Sequence, residues 1–84
     1  MNAFGMGEFA TLQELEIELY TSAYRVTGTV HTPFRRVAEI LNLLPGGYLA
    51  IDGATIVEHA APSAARRAGS VLVTIDEILV LLAP

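Results

Sequence analysis

The stretch VLVTIDEILVLL, residues 71–82, decides the fold of this chain. It contains two short apolar runs rich in β-branched residues, 71–75 and 78–82, separated by the acidic pair Asp76-Glu77. A strand with one face in water alternates apolar and polar residues, and neither run alternates. Both faces of these two predicted strands must therefore be covered, one by the core of the domain and the other by a partner.

Size and composition favour a second copy of the chain as that partner. The 84 residues are enough for one domain, and a domain of this size buries only about 60–65% of its unfolded surface. The chain is nevertheless 52% hydrophobic and only 17% charged. Apolar residues that a small core cannot hold lie on the surface, where they mark association sites. We therefore expect a homo-oligomer.

Two further strands precede the middle of the chain. Residues 12–20, LQELEIELY, alternate leucine or isoleucine with glutamate, which indicates a half-buried strand with an acidic face in water. Residues 24–31 form a second strand, with Gly28 on the same face as Val26 and Val30. A glycine inside a strand usually marks a bulge, a sharp bend or a close backbone approach, and a small barrel needs such a bend to close.

A helix over residues 33–44 is predicted after the second strand. Thr32 suits the N-cap and Pro33 the first helical position. The helix has one apolar stripe, made of Phe34, Val37, Leu41 and Leu44.

The third strand is predicted over residues 48–52. The dipeptide Asp52-Gly53 is a hairpin-type signal, so residues 54–58 are either a continuation of this strand or its partner. Residues 59–70 contain no bulky apolar side chain and are predicted to be a surface loop. The predicted fold is thus mainly β, a small, strongly bent barrel of five to six strands with one inserted helix. Residues 12–84 form this domain and residues 1–11 a flexible leader.

The order of elements resembles the Sm-like (SH3-like) barrel family. The resemblance is carried by VTGTV at residues 26–30, the third strand, and the two terminal strands joined by Asp76-Glu77. It implies that Gly28 bends the second strand and that the last two strands pair with neighbouring subunits to form a ring. Sm-like proteins bind RNA partly through a polar or basic residue and a glycine in the turn between those last strands, whereas this turn is acidic and lacks glycine. Their helix is also N-terminal.

A second resemblance concerns residues 36–42, RVAEILN. This segment is similar to an Arg-x-x-(Asp/Glu)-(Ile/Leu)-Leu-Asn motif in short uncharacterised bacterial proteins, from which no activity can be inherited.

Catalytic and metal-binding residues are not legible. There is no cysteine, and the only two histidines, His31 and His59, are far apart in the sequence. They could converge with Asp52 and Glu58 only through the tertiary structure. A metal site needs three or four converging ligands, and no nucleophile lies beside a base. We predict no enzyme activity, no metal, no cofactor and no small-molecule substrate.

The arginines are the candidate anion-binding residues. All basic residues are arginine, whose planar fork suits phosphate, and two pairs stand out, Arg35-Arg36 and Arg66-Arg67. The formal charge is −4, however, and phosphate binding needs a positive face. In a ring these pairs would repeat and build a basic annulus, so an RNA- or nucleotide-binding ring remains the alternative function.

The primary hypothesis is a non-enzymatic, self-assembling structural or adaptor module. Its longest uncharged apolar run, 78–83, is too short to span a bilayer, which takes about 20 residues, and no signal peptide is recognisable. We therefore expect a cytoplasmic protein, and the lack of lysine suggests a GC-rich bacterial genome. The predicted oligomer interface consists of Val71, Val73, Ile75, Ile78, Val80 and Leu82.

Overall fold

The computed structural model describes residues 12–33, 36, 38, 39 and 46–83, which supply five antiparallel strands. The strands are β1 (Gln13–Tyr20), β2 (Tyr24–Thr32), β3 (Tyr48–Glu58), β4 (Ala61–Thr74) and β5 (Val80–Leu82). A 3-10 turn, Ile75–Glu77, leads from β4 towards β5. The order across the sheet is β4-β3-β2-β1-β5, so the last two strands of the chain lie at opposite edges.

The sheet is open, and the prediction of a closed barrel is wrong. Among the described residues β4 pairs only with β3, and β5 pairs only with β1. Because every neighbouring pair is antiparallel, β4 and β5 run in the same direction. Closure would require them to pair in parallel, which takes a crossover of about a dozen residues or more, and only residues 75–79 connect them. Asp76-Glu77 lies in the 3-10 turn between β4 and β5, which confirms the prediction that the acidic pair separates two strands.

The first two strands confirm the predictions from sequence. In β1, Ile17 and Leu19 are buried while Glu14 and Glu16 are exposed. In β2, Val26 pairs with Leu19 and belongs to the same core. The nine buried apolar residues of the described chain are Ile17, Leu19, Val26, Val30, Leu49, Ile51, Ala54, Val73 and Ile75.

Asp52-Gly53 forms a bulge and not a hairpin turn. β3 continues through it to Glu58, so residues 54–58 are the continuation of the third strand. The pairing with β2 shifts by one residue between Thr27–Thr55 and Thr29–Asp52, and Gly53 has a positive φ of 57°. Opposite the bulge, a Cβ on Gly28 would lie 2.5 Å from Ile51 Cγ2 and 2.8 Å from the Asp52 carbonyl oxygen. Gly28 therefore permits the close approach of β2 and β3.

The predicted loop over residues 59–70 is wrong. The chain turns at His59 and Ala60, and β4 begins at Ala61. Its first half pairs with the second half of β3, for example Ala65 with Val57. Residues 62–67 are exposed on both faces, so this half-strand needs no bulky apolar side chain and is formed by backbone pairing alone.

Most of the predicted helix lies outside the described residues, as do Arg35, the stripe Phe34, Val37, Leu41 and Leu44, and the leader 1–11. Of the part described between β2 and β3, only Ala38 and Glu39 are helical. The amide of Glu39 donates to the carbonyl of Arg36 (3.1 Å), and the amide of Arg36 donates to Glu39 Oε1 (3.2 Å). Thr32 is the last residue of β2. No described helix is long and apolar enough to cross a membrane.

Candidate functional site at the open edges

Exposed large apolar side chains gather at the two edges of the sheet. Tyr48 and Leu72 are 64% and 66% exposed, and we call them the β4 edge patch. Leu79, Val80 and Leu82 are 69%, 46% and 48% exposed, and we call them the β5 edge patch. Only one other large apolar side chain of the described residues is exposed, Leu12, just before β1.

The β5 edge patch is presented by a three-residue strand. Leu81 pairs with the buried Leu19, whereas Val80 and Leu82 pair with Tyr20 and Glu18. Since successive strand residues alternate between faces, Val80 and Leu82 face away from the core. The amide of Leu79 donates to the Tyr20 carbonyl at 2.8 Å, which holds the residue before β5 against β1.

The β4 edge patch follows the same alternation on the opposite edge. Val73 pairs with the buried Leu49, while Leu72 pairs with the exposed Ala50. Tyr48, two residues before Ala50, lies on that exposed face as well.

A groove of about 370 Å³ opens beside the second half of β4, where the sheet does not close. Its apolar lining includes Val26, Ile56 and Val71, contributed by three strands. Its polar lining includes Arg66 from β4 and Glu77 from the 3-10 turn. The remaining lining residues are Thr21, Ser22, Ala23, Tyr24, Leu72, Val73 and Thr74.

The six residues of the predicted interface divide into two groups. Val73 and Ile75 are buried in the core of their own chain, and Val71 and Ile78 are half-buried and pack against it. Val80 and Leu82 are exposed at the edge. Sequence reasoning missed Leu72, Leu79 and Tyr48. Leu72 could have been found, since it lies between two core positions and strand alternation sends it to the other face.

The two edges carry opposite charges. β4 contains Arg66 and Arg67 and no acidic residue, whereas the segment 75–82 contains Asp76 and Glu77 and no basic residue. The ion pairs found in the described part of the chain involve none of these four side chains.

The candidate anion-binding arginines do not converge in the described structure. Arg66 lines the groove, and Arg67, as the next residue of the strand, faces the other side of the sheet. Arg36 is exposed in the segment between β2 and β3. Arg25 lies 3.7 Å from Glu18 and thus already faces a carboxylate.

The histidines belong to two separate polar clusters. His31 Nε2 lies 3.1 Å from Asp52 Oδ2, and His31 Nδ1 lies 3.9 Å from Glu14 Oε2, which links three strands across an exposed face. His59 Nε2 donates to the Thr21 carbonyl at 3.0 Å, and its ring stacks on Tyr20 with centroids 6.3 Å apart. A search of the described residues finds no group of three or more potential ligands that could hold a metal ion.

The β5 edge borders a hydrogen-bonded pair of side chains on β1, Tyr20 and Glu18. The Tyr20 hydroxyl donates a hydrogen bond to the Glu18 carboxylate. This hydrogen bond, which stabilises the neutral phenol, raises the pKa of Tyr20 above its ordinary value of 10.0. Because Tyr20 pairs with Val80 and Glu18 with Leu82, this group borders the apolar β5 edge patch.

Comparisons with protein-family models, with curated proteins and with solved structures find no match to this chain. The fold and the site define it as a small open antiparallel sheet with an apolar patch at each edge. Its function has to be argued from that geometry.

Proposed function

We propose that this protein is a non-enzymatic, self-assembling structural or adaptor module in which the β5 edge of one copy adds to the β4 edge of the next. One observation carries the proposal. Of the six exposed large apolar side chains among the described residues, four lie in β4, in β5 or immediately before β5, and a fifth, Tyr48, lies on β3 beside the β4 edge.

The open edges also supply the hydrogen-bonding groups that assembly needs. An unpaired edge strand presents free N–H and C=O groups to any other strand. Natural proteins protect such edges with proline and charged residues, and the first half of β4 carries Pro62, Arg66 and Arg67. Residues 71–74 and β5 carry neither proline nor charge. The unprotected stretches are therefore the ones expected to pair.

Charge favours a contact between unlike edges. A β4 edge with two arginines would repel a second β4 edge, and the acidic segment 75–82 would repel a copy of itself. Joining β4 to β5 brings opposite charges together. Such a contact is heterologous, so it generates a ring if the rotation between copies closes and a filament if it does not. The ring is the arrangement that the Sm-like resemblance implies, and a cytoplasmic protein remains part of the proposal.

The alternative, a ring that binds RNA or nucleotide through repeated arginines, has less support. Arg66 and Arg67 face opposite sides of β4, and Glu77 shares the groove with Arg66. Binding of short RNA should therefore be absent at physiological salt. Binding that falls steeply with salt concentration would favour the alternative.

A mixing experiment tests the edge-to-edge contact. Leu72→Asp should block the β4 edge and Val80→Asp the β5 edge, and each variant alone should be monomeric by native mass spectrometry. Mixed, they should form a 1:1 dimer, because each variant keeps the edge that the other has lost. Circular dichroism verifies that both variants are folded. A wild-type chain that stays monomeric at high micromolar concentration contradicts the proposal, and so does a mixture of folded variants that forms no dimer.

A further inference from the structure

We infer that the groove beside residues 71–74 is the receptor for the Leu79 side chain of the next copy. This inference rests on the proposed assembly and deepens it, since it names the side-chain contact that would give the strand pairing its affinity and register.

Leu79 is an exposed side chain on a backbone that hydrogen bonds hold in place. Among the described residues it is the most exposed large apolar side chain, at 69%. Its amide donates to the Tyr20 carbonyl at 2.8 Å, and the preceding residue, Ile78, donates to the Ile75 carbonyl at 3.1 Å. A side chain held out on a hydrogen-bonded turn loses little freedom when it is bound.

Leu79 does not fill the groove of its own chain. Glu77 lines that groove, but Leu79, two residues later, is not among the lining residues. The 3-10 turn and the hydrogen bond to Tyr20 direct the chain towards β1 and away from β4. The apolar anchor and the apolar groove of one molecule thus remain separate, and a second copy can bring them together.

The proposed strand pairing places this anchor at the groove. The groove is lined by residues 71–74, the unprotected stretch of β4 to which β5 of the next copy would add. Leu79 immediately precedes β5, and successive residues of a strand are about 3.3 Å apart. Pairing of Val80 with Leu72 or Thr74 keeps Val80 on the exposed face and therefore turns the neighbouring Leu79 to the face of Val71 and Val73, at the mouth of the groove.

The chemistry of the groove fits a leucine better than an anion. Val26, Ile56 and Val71 make it apolar, and its charged lining consists of one basic and one acidic side chain, Arg66 and Glu77. Arg66 forms no ion pair with a described residue, and Asp76 lies exposed three residues before Leu79. A copy that inserts Leu79 thus carries a carboxylate to the side of the groove where Arg66 is free to meet it.

Cross-linking tests the contact directly, because the wild-type chain contains no cysteine. Leu79→Cys and Val71→Cys chains of different mass should, when mixed and mildly oxidised, give a disulfide-linked heterodimer in preference to either homodimer. Leu12→Cys is the matched control, since Leu12 is 51% exposed but immediately precedes the interior strand β1 and does not line the groove, and it should not cross-link to Val71→Cys.

The outcomes separate the inference from the proposed function. A double variant, Val71→Cys/Leu79→Cys, that closes a disulfide within one chain would overturn the inference, because Leu79 would then occupy its own groove. Absence of the heterodimer while wild type remains oligomeric would also overturn it and leave edge-to-edge assembly standing. A monomeric wild type would end both. In support, Leu79→Ser should weaken association about tenfold or more, as expected for a leucine that is buried on binding, whereas Leu12→Ser should not.

Discussion

β1 and β4 are both strands of the same sheet, but they are built on different principles. β1 has a neighbour on each side, and its alternating sequence buries Ile17 and Leu19 while its glutamates face water. In the described part of the chain β4 has a neighbour on one side only, and its first half buries almost nothing. A strand that contributes to a core thus carries a sequence pattern, whereas a strand held by backbone pairing at an edge need not.

The largest expected effect comes from the interior. Leu19 has no exposed surface, so Leu19→Ala should reduce the free energy of unfolding by about 2–5 kcal/mol. The matched change at the edge, Leu72→Ala, should stay within about 0.5 kcal/mol, because Leu72 is exposed. Urea denaturation measures both. The Val80→Asp background should be used so that assembly does not contribute to stability. Equal losses at the two positions would contradict the distinction between interior and edge.

Two glycines sharpen the same comparison. Gly28→Ala should destabilise the fold by about 1–3 kcal/mol, since its Cβ would clash with Ile51 and with the backbone of Asp52. Gly69→Ala, in β4, should be neutral or stabilising, because a Cβ at Gly69 meets nothing within 4 Å. Thermal melting distinguishes the two. A stable Gly28→Ala variant would mean that β2 and β3 are farther apart at the bulge.

Reversing the charge of Arg66 at the β4 edge should have a smaller effect, and that effect is on association. Arg66→Glu should weaken association several-fold at low salt and less at high salt, because an exposed ion pair contributes about 0–1 kcal/mol and is screened. Adding Asp76→Arg to the same chain should restore association, since in a heterologous assembly every copy supplies both partners. Sedimentation at two salt concentrations provides the measurement. If the double variant associates no better than the single variant, Arg66 does not contact Asp76 of the neighbouring copy.

The smallest effect concerns Tyr20 beneath the β5 edge. Because its hydrogen bond to Glu18 raises the pKa of Tyr20, Glu18→Gln should lower that pKa towards 10.0. The raised pKa means that the neutral phenol stabilises the folded state below pH 10, and that this contribution is lost as pH rises through the folded-state pKa. Ultraviolet titration of tyrosinate in a Tyr24→Phe/Tyr48→Phe background isolates Tyr20. An unchanged pKa of Tyr20 in the Glu18→Gln variant would show that the hydrogen bond to Glu18 is not what raises it.

Prediction from the sequence succeeded where one face of a strand is buried, because apolar and polar residues then alternate along the sequence. The strands β1 and β2, the face shared by Val26 and Val30, and the close approach at Gly28 all follow from alternation or from a glycine within it. Prediction failed at residues 59–70, where a composition poor in apolar residues indicated a loop. At Asp52-Gly53 it left two alternatives open, because a bulge and a hairpin turn both use a glycine with positive φ, and the structure shows the continuous strand.

Half of the candidate site could be predicted and half could not. The apolar terminal runs indicated association, and Val80 and Leu82 are exposed at an edge. Val73 and Ile75 are buried instead, because β4 turns one face to its own core. The groove involves β2, β3 and β4 together with the turns that face them, and no local pattern encodes such a meeting.

The sequence by itself determined a mainly β domain with an alternating first strand, a second strand that contains a glycine, and an excess of apolar residues in residues 71–82. These features depend on side-chain periodicity and on the absence of a side chain at Gly28, both of which are local. Only the tertiary structure decided that β3 runs through its bulge, that β4 extends back to Ala61, and that the sheet stays open between β4 and β5. Those features depend on which backbone segments pair across the sheet, and backbone hydrogen bonds are the same for nearly every residue type.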